Sequence, residues 1–284
     1  MFSKISLRLS SVIVPLVGSA IAATPAVTSV TYDFESSAAG DLFAGGGVTG
    51  WTQDTSNPTA FGQTFPLAYI GATNFGGGAS SSAQLGTAQS NTPDNGDTTL
   101  TGDLTSLDPI YNMMNVSFNM AVLDNSADSY ETRDAFSVAL TTASGSEAAT
   151  IGFTPTVGNN DSWDISVGVN GSTSTTPQTI LSNSGYNFVI SSRDNTTGFS
   201  YSAGDGSGLT IGLGDPIVSP FSSGFNTTLN SVTGITFVHD PLGTTVGESA
   251  NMLAFDDVTV QIPEPSSTLL AVLSAGLIAV RRRR

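Results

Sequence analysis

Carboxylates are the most numerous titratable side chains between Thr24 and Ile262, which makes acid–base chemistry the first possibility to examine. A glycoside-cleaving site needs two carboxyl groups about 5 to 10 Å apart. Glu131 and Asp134 come nearest to such a pair, but residues three apart on a strand point to opposite faces. The remaining glutamates of this stretch form no comparable pair: Glu35, Glu147 and Glu248. We therefore predict no catalytic residues and keep an extracellular glycoside hydrolase-like enzyme as the alternative.

The chain has one histidine, His239, and no cysteine. Multi-histidine and thiolate metal sites, cysteine nucleophiles and disulfides are therefore excluded. No G-x-S-x-G motif accompanies the histidine, so a serine hydrolase is not indicated. Asp240 and Pro241 follow it directly, which predicts a turn at the end of a strand.

The charge between Thr24 and Ile262 is strongly acidic, with 22 carboxylates against two bases, Arg133 and Arg193. Binding to nucleic acid or anionic lipid needs clustered Lys and Arg, so neither partner is expected. Such a surface attracts divalent cations, although it also serves simple solubility.

Calcium is the cofactor considered first, because this cation takes several oxygen ligands. Two sets of acids are candidates. One is the group of strand-end residues Asp33, Glu35 and Asp257, and the other is the loop pair Asp124 and Asp128. The loop lacks the Gly and the distal Glu of an EF-hand.

Exposed aromatic rings would suit a glycan-binding module, in which they pack on sugar rings beside polar groups. Trp51, Tyr69 and Tyr111 fall in loop-like stretches and are the candidates, whereas Trp163 lies on an apolar strand face and is predicted to be core. A structural matrix protein without a small ligand remains the other interpretation.

Alternation of apolar and polar residues recurs along the chain, while long helical periodicity does not. The clearest strand places Met114, Val116, Phe118, Met120 and Val122 on one face. Similar alternation marks further strands near residues 30–34, 136–140, 151–153, 163–169, 186–190, 199–201, 209–213 and 235–237. In the last strand, from Met252 to Val260, the alternation shifts phase, which predicts a β-bulge at Asp256 and Asp257. Many short antiparallel strands predict an all-β sandwich over residues 24–262.

The first 23 residues have the three parts of a secretory signal peptide. Basic residues Lys4 and Arg8 precede an apolar helical run, and the small residues Ala20, Ala22 and Ala23 form the cleavage region. We therefore expect residues 1–23 to direct the chain into the secretion machinery.

Residues 263–284 combine a proline-flanked acid, a short apolar stretch and a basic end. Thr268–Val280 would form a helix of roughly 20 Å, which halts in a bilayer but spans its roughly 30 Å core poorly. A basic cluster follows, and it is expected to stay on the cytoplasmic side: Arg281, Arg282, Arg283 and Arg284. The preceding Pro263, Glu264 and Pro265 would then lie just outside the membrane.

This order of features resembles the PEP-CTERM sorting signal of Gram-negative bacteria. The resemblance implies that Pro263, Glu264 and Pro265 are recognised by an exosortase, a membrane cysteine transpeptidase that removes the tail. It implies transient insertion of the tail in the inner membrane, export, and a final location at the cell surface or in an exopolysaccharide matrix.

We call the predicted sandwich, residues 24–262, the body. It is similar to concanavalin A-like (laminin G-like) jelly-roll domains. The segments that carry the similarity begin at Tyr32, Arg133, Trp163 and Phe255, namely YDFE, RDAFSV, WDISV and FDDV. A galactose-binding-like jelly roll has similar first and last strands. We expect a non-catalytic exported protein whose sandwich is structural or binds glycans, with extracellular polysaccharide as the partner.

Overall fold

The computed structural model describes the strands of the body and the turns between them. It covers residues 29–37, 40–41, 48–55, 68–75, 79–86, 98–107, 113–124, 133–159, 161–169, 171–193, 196–203, 217–218, 232–240 and 251–262. The predicted signal peptide and tail helix lie outside these ranges. Within them, no helix has the length and apolar character needed to cross a membrane.

Sixteen antiparallel strands are described, and they form two sheets. The nine-stranded sheet contains β1 (Ser29–Tyr32), β2 (Gly40–Asp41), β4 (Ala68–Asn74), β5 (Ala79–Gly86), β7 (Met113–Asp124), β12 (Tyr186–Arg193), β13 (Thr196–Ala203), β14 (Ile217–Val218) and β16 (Asn251–Gln261). The seven-stranded sheet contains β3 (Trp51–Thr55), β6 (Thr98–Asp103), β8 (Ala135–Thr142), β9 (Glu147–Pro155), β10 (Ser162–Val169), β11 (Ser172–Leu181) and β15 (Val232–Asp240).

The spatial order of the strands requires repeated crossing between the two sheets. The larger sheet runs β14-β13-β12-β7-β16-β5-β4-β2, with β1 beside β16, and the smaller runs β11-β10-β9-β8-β15-β6-β3. The prediction of an all-β antiparallel jelly-roll sandwich is confirmed.

Alternating side chains fill the space between the sheets. The five apolar residues predicted for one face of β7 are all buried, and Trp163 on β10 is fully buried as predicted. Phe237 of one sheet stacks on Phe255 of the other, with ring centroids 3.7 Å apart. Burying one such ring contributes roughly 1.5–3 kcal/mol, so facing pairs of this kind hold the two layers together.

Strand β16 is central in its sheet and changes partner halfway along one side. Met252–Phe255 pair with β5, whereas Val258–Gln261 pair with β1, and β7 lies along the other side. The register slips between Asp256 and Thr259, and Asp257 has a φ of 51°. Asp tolerates this left-handed conformation better than most residues, and the predicted bulge is confirmed.

Candidate functional site

The predicted sorting tail follows the last strand without an intervening linker. Gln261 ends β16 and pairs with Ser29 of β1, and Ile262 is only 2% exposed. The predicted recognition residues 263–265, the arginines 281–284 and the signal cleavage residues 20–23 lie outside the described residues. The tail is therefore joined directly to a core strand.

Each of the predicted strand-end calcium ligands has a hydrogen-bond partner within the protein. Asp33 Oδ1 accepts from the backbone N–H of Glu35 at 2.8 Å, and Glu35 Oε1 accepts from Ser81 N–H at 3.2 Å. Asp257 Oδ2 accepts from Asn119 Nδ2 at 2.9 Å. In these contacts the three carboxylates reach three different neighbours.

The loop alternative for calcium begins at a carboxylate that belongs to an ion pair. Arg133 Nε donates to Asp124 Oδ2 at 2.8 Å, and both side chains are buried. Asp128 lies outside the described residues. No group of three or more His, Cys, Asp or Glu side chains in the described part of the chain is placed to hold a metal. Calcium binding stays a prediction.

Of the three aromatic candidates for sugar stacking, the structure describes the side chain of one. Trp51 is only 6% exposed and packs in the core against Tyr32, Phe34, Phe237 and Phe255, so a role as an exposed sugar platform is wrong for this residue. The side chain of Tyr69 and all of Tyr111 lie outside what the structure describes.

His239 lies near the end of a strand, as predicted, but it is not a turn residue. It lies within β15, is fully buried, and places Nε2 2.9 Å from Asp134 Oδ2. The backbone of Asp134 is fixed as well, because its N–H donates to Asn251 Oδ1 and its carbonyl accepts from Trp163 Nε1. Both members of the His–Asp pair have zero exposure, so no substrate reaches them in this fold.

Asp256 lies at the point where β16 changes partner from β5 to β1, and we call this point the fork. Its carboxylate accepts from Ser80 Oγ at 3.1 Å, from Asp257 N–H at 2.8 Å, and from the backbone N–H of Phe34. The residue is 2% exposed. Burial, with a smaller contribution from the charge of Asp257, raises the pKa of Asp256 to about 6 against the stabilising hydrogen bonds.

Polar side chains cross the outer face of the nine-stranded sheet beside this fork. Asn187 Nδ2 donates to Asn119 Oδ1 at 3.0 Å, and Asn119 Nδ2 donates to Asp257 Oδ2. Asn187 and Asn119 are paired across β12 and β7, and they are partly exposed, whereas Asp257 is exposed. We call these three residues the amide–carboxylate row. Asn119 stands between Phe118 and Met120 of the predicted apolar face, so alternation puts it on the opposite face of β7. Its partners on β12 and β16 follow only from the order of the strands.

A shallow cleft of about 360 Å³ lies at one end of the seven-stranded sheet. Three of its six lining residues are threonines and one carries a carboxylate: Gly50, Trp51, Thr52, Thr101, Asp103 and Thr233. Hydrogen bonds from the hydroxyl and N–H of Thr105 lower the pKa of Asp103, so its carboxylate is ionised near neutral pH.

Residues 261–284 match the family model of the PEP-CTERM protein-sorting motif. The chain carries a PEP-CTERM sorting motif. The match spans the predicted recognition residues, the apolar stretch and the arginine cluster, so the resemblance drawn from Pro263, Glu264 and Pro265 is confirmed. A PEP-CTERM motif marks a protein for export and for exosortase processing to the cell surface or extracellular space.

No protein of curated function matches the sequence. Among solved structures, the CBM2 module of an evolved Dit protein from Lactobacillus casei BL23 phage J-1 is 17% identical with a TM-score of 0.49, over 84% of this chain and 99% of that one. Lectin UEA-II complexed with galactose is 13% identical with a TM-score of 0.46, over 82% and 97%. A GH131 β-glucanase catalytic domain from Podospora anserina is 12% identical with a TM-score of 0.42, over 70% and 80%. No functional conclusion follows from identities this low.

Proposed function

We propose that the body of this PEP-CTERM protein is a non-catalytic sandwich that binds extracellular polysaccharide after export. The observation that carries the proposal is the amide–carboxylate row on the outer face of the nine-stranded sheet. Its members come from three neighbouring strands, β12, β7 and β16, and they are already oriented by contacts with one another.

The chemistry of the row suits hydroxyl-rich ligands. A sugar hydroxyl both donates and accepts, an amide side chain offers both functions, and an ionised carboxylate accepts. Small-molecule sites commonly hold their ligands with a few polar groups fixed by the scaffold. Asn119 and Asn187 sit on rigid strands, which limits the entropy that they lose on binding.

The absence of catalysis in this proposal is supported by the roles of the carboxylates. Asp134 is fully buried against His239, and Asp256 is buried at the fork, where it accepts backbone and hydroxyl hydrogen bonds. Glu35 accepts from Ser81 N–H, and Glu147 accepts from Thr150 Oγ1 at 2.7 Å on the other sheet. These contacts serve the fold, whereas a glycosidase needs two carboxyl groups that flank a shared cleft.

We predict that Asn119→Ala combined with Asn187→Ala weakens binding of the purified body to the exopolysaccharide of its own host. Loss of two hydrogen bonds should raise the Kd about tenfold or more. The matched control is Ser137→Ala with Ser166→Ala, which removes two partly exposed polar groups from the seven-stranded sheet. Calorimetry or a retention assay measures the affinity, and product release is followed in the same samples.

Several results of this experiment would contradict the proposal. Equal affinity in the double amide variant, or an equal loss in the serine control, would remove the row as the binding surface. If Asp103→Asn lost affinity for the polysaccharide while the double amide variant kept it, the cleft rather than the row would be the binding site. Sugar release that depends on one carboxylate would replace the proposal with the enzymatic alternative.

A further inference from the structure

No linker residue separates the last buried residue of the body from the proline that begins the predicted recognition residues. Val260 is fully buried, Ile262 is 2% exposed, and Pro263 is the next residue. The motif match itself begins at residue 261, within the last strand. The end of the folded core and the start of the sorting motif are therefore the same stretch of chain.

This stretch is paired on both of its sides. Thr259, Val260 and Gln261 face Ser117, Val116 and Asn115 of β7 on one side. On the other side they face Thr31, Val30 and Ser29 of β1. Their backbone is thus committed to the sheet, and no free edge remains along it.

Enzymes that recognise peptide segments commonly take them in extended form through main-chain hydrogen bonds. When β16 is paired in the sheet, the backbone of residues 259–261 is already hydrogen-bonded to β7 and β1. The segment before Pro263 can bond to an enzyme only if the end of β16 leaves the sheet. Leaving would break pairing with two strands and expose Val260 and Ile262 to water. No spacer separates the last core residue from the motif in the sequence, which restricts the approach of a membrane enzyme.

We infer that docking of β16 shields the sorting motif, and that exosortase removes the tail before β16 docks. The last strand and the enzyme then compete for one extended segment. Because β16 lies between β7 and the β5–β1 pair, the sheet is incomplete until this C-terminal segment is inserted. That interval is when residues 259–262 are open to the enzyme.

The chemical step requires no additional redox partner. One peptide bond at the motif breaks, the thiolate of the exosortase cysteine forms a thioester with the acyl group of the body, and the departing nitrogen of the tail takes protons from water and leaves as an amine. The acyl group then passes to an acceptor amine or to water, which restores the thiolate.

Folded precursor tests the inference directly. Purified full-length protein is mixed with membranes that contain exosortase, and tail removal is followed by mass. One variant carries a six-residue Gly-Ser stretch between Ile262 and Pro263, which adds about 20 Å of extended chain outside the sheets. The control carries the same stretch in the exposed turn between Ser144 and Gly145.

The expected result is that the junction insertion is processed about tenfold faster than wild type, because the buried end no longer has to open. The turn insertion should match wild type, and wild-type precursor diluted from denaturant into the membranes should be processed as fast as the junction variant. Ile262→Ser, which loosens the docked end, should also accelerate removal. Equal rates for folded wild type and the junction insertion would overturn the inference.

Discussion

The carboxylate of Asp256 connects neighbouring segments through hydrogen bonds, but burial of its ionised form costs stability. Where β16 exchanges β5 for β1, the backbone N–H of Phe34 and the hydroxyl of Ser80 both donate to this side chain. The carboxylate thereby joins β5 to the segment that directly follows β1. Its ionised form is nevertheless held out of water beside Asp257, and the pKa is raised to about 6 from 3.8.

The raised pKa predicts how stability depends on pH. The folded state holds this proton more tightly than the unfolded state, so the contribution of Asp256 to stability falls as pH rises from about 4 through 6. We expect Asp256→Asn to lose this dependence. Relative to the variant, wild type should become less stable by about 1–2 kcal/mol between pH 4 and pH 8.

Urea unfolding of both proteins at several pH values measures the difference. Asp161→Ala, which changes an exposed carboxylate, serves as the control and should run parallel to wild type. Parallel curves for wild type and Asp256→Asn would show that the carboxylate does not titrate in this window.

Single residues were the hardest feature to predict from the sequence. His239 precedes Asp240 and Pro241, which is a turn signal, yet it lies in a strand and contacts an aspartate 105 residues away. The residues next to Trp51 in the sequence are typical of a loop, but four aromatic rings from other parts of the chain bury its side chain. Local patterns carry no information about such distant partners.

At the scale of elements, the chain entering β8 is fixed by a buried polar cluster. Asp134 is bound to His239 on β15, Asn251 at the start of β16 and Trp163 on β10. One short segment thus connects strands from both sheets. Removing one partner of a buried hydrogen-bonded pair is costly, because the other polar group is left buried without that partner.

We predict that Asp134→Ala destabilises the body by about 1–3 kcal/mol, because the ring of His239 loses its carboxylate partner. Thermal or urea unfolding measures the loss, and Asp161→Ala again serves as the exposed control, with an expected change of less than about 0.5 kcal/mol. Should Asp134→Ala behave like the control, the cluster would not be a structural support.

Strands with two-residue alternation were predicted well, and strands without it were not. The core face of β7 and the bulge in β16 follow directly from the spacing of apolar residues. Strand β11 was missed, because it lies at the edge of its sheet and reads STSTTPQTIL, with few apolar residues to mark a buried face. Natural edge strands are often polar or carry proline, because these features discourage pairing with other chains.

At the scale of the whole molecule, the distribution of charge is consistent with membrane attachment through the tail alone. The body carries 22 carboxylates and two bases, while six of the eight basic residues of the chain lie in its terminal segments. Such an acidic body is repelled by anionic lipid surfaces, so its membrane contact depends on the apolar tail. Removal of the tail would therefore release the body to the cell surface or extracellular space.

Replacing Pro263, Glu264 and Pro265 with alanine separates export from processing. The apolar stretch and the arginines remain in this variant, so the chain should still halt in the membrane with its body outside. We expect a longer form that stays in the membrane fraction, detected by fractionation and mass. Normal release of the shortened body from this variant would mean that the three residues are not the recognition motif.

The intact mass of the mature protein tests the central claim most directly. Protein recovered from the surface or medium of a strain that has exosortase should lack the segment ending in Arg281–Arg284, and a strain without the enzyme should retain it. A surface species that still ends in four arginines while exosortase is present would contradict the account.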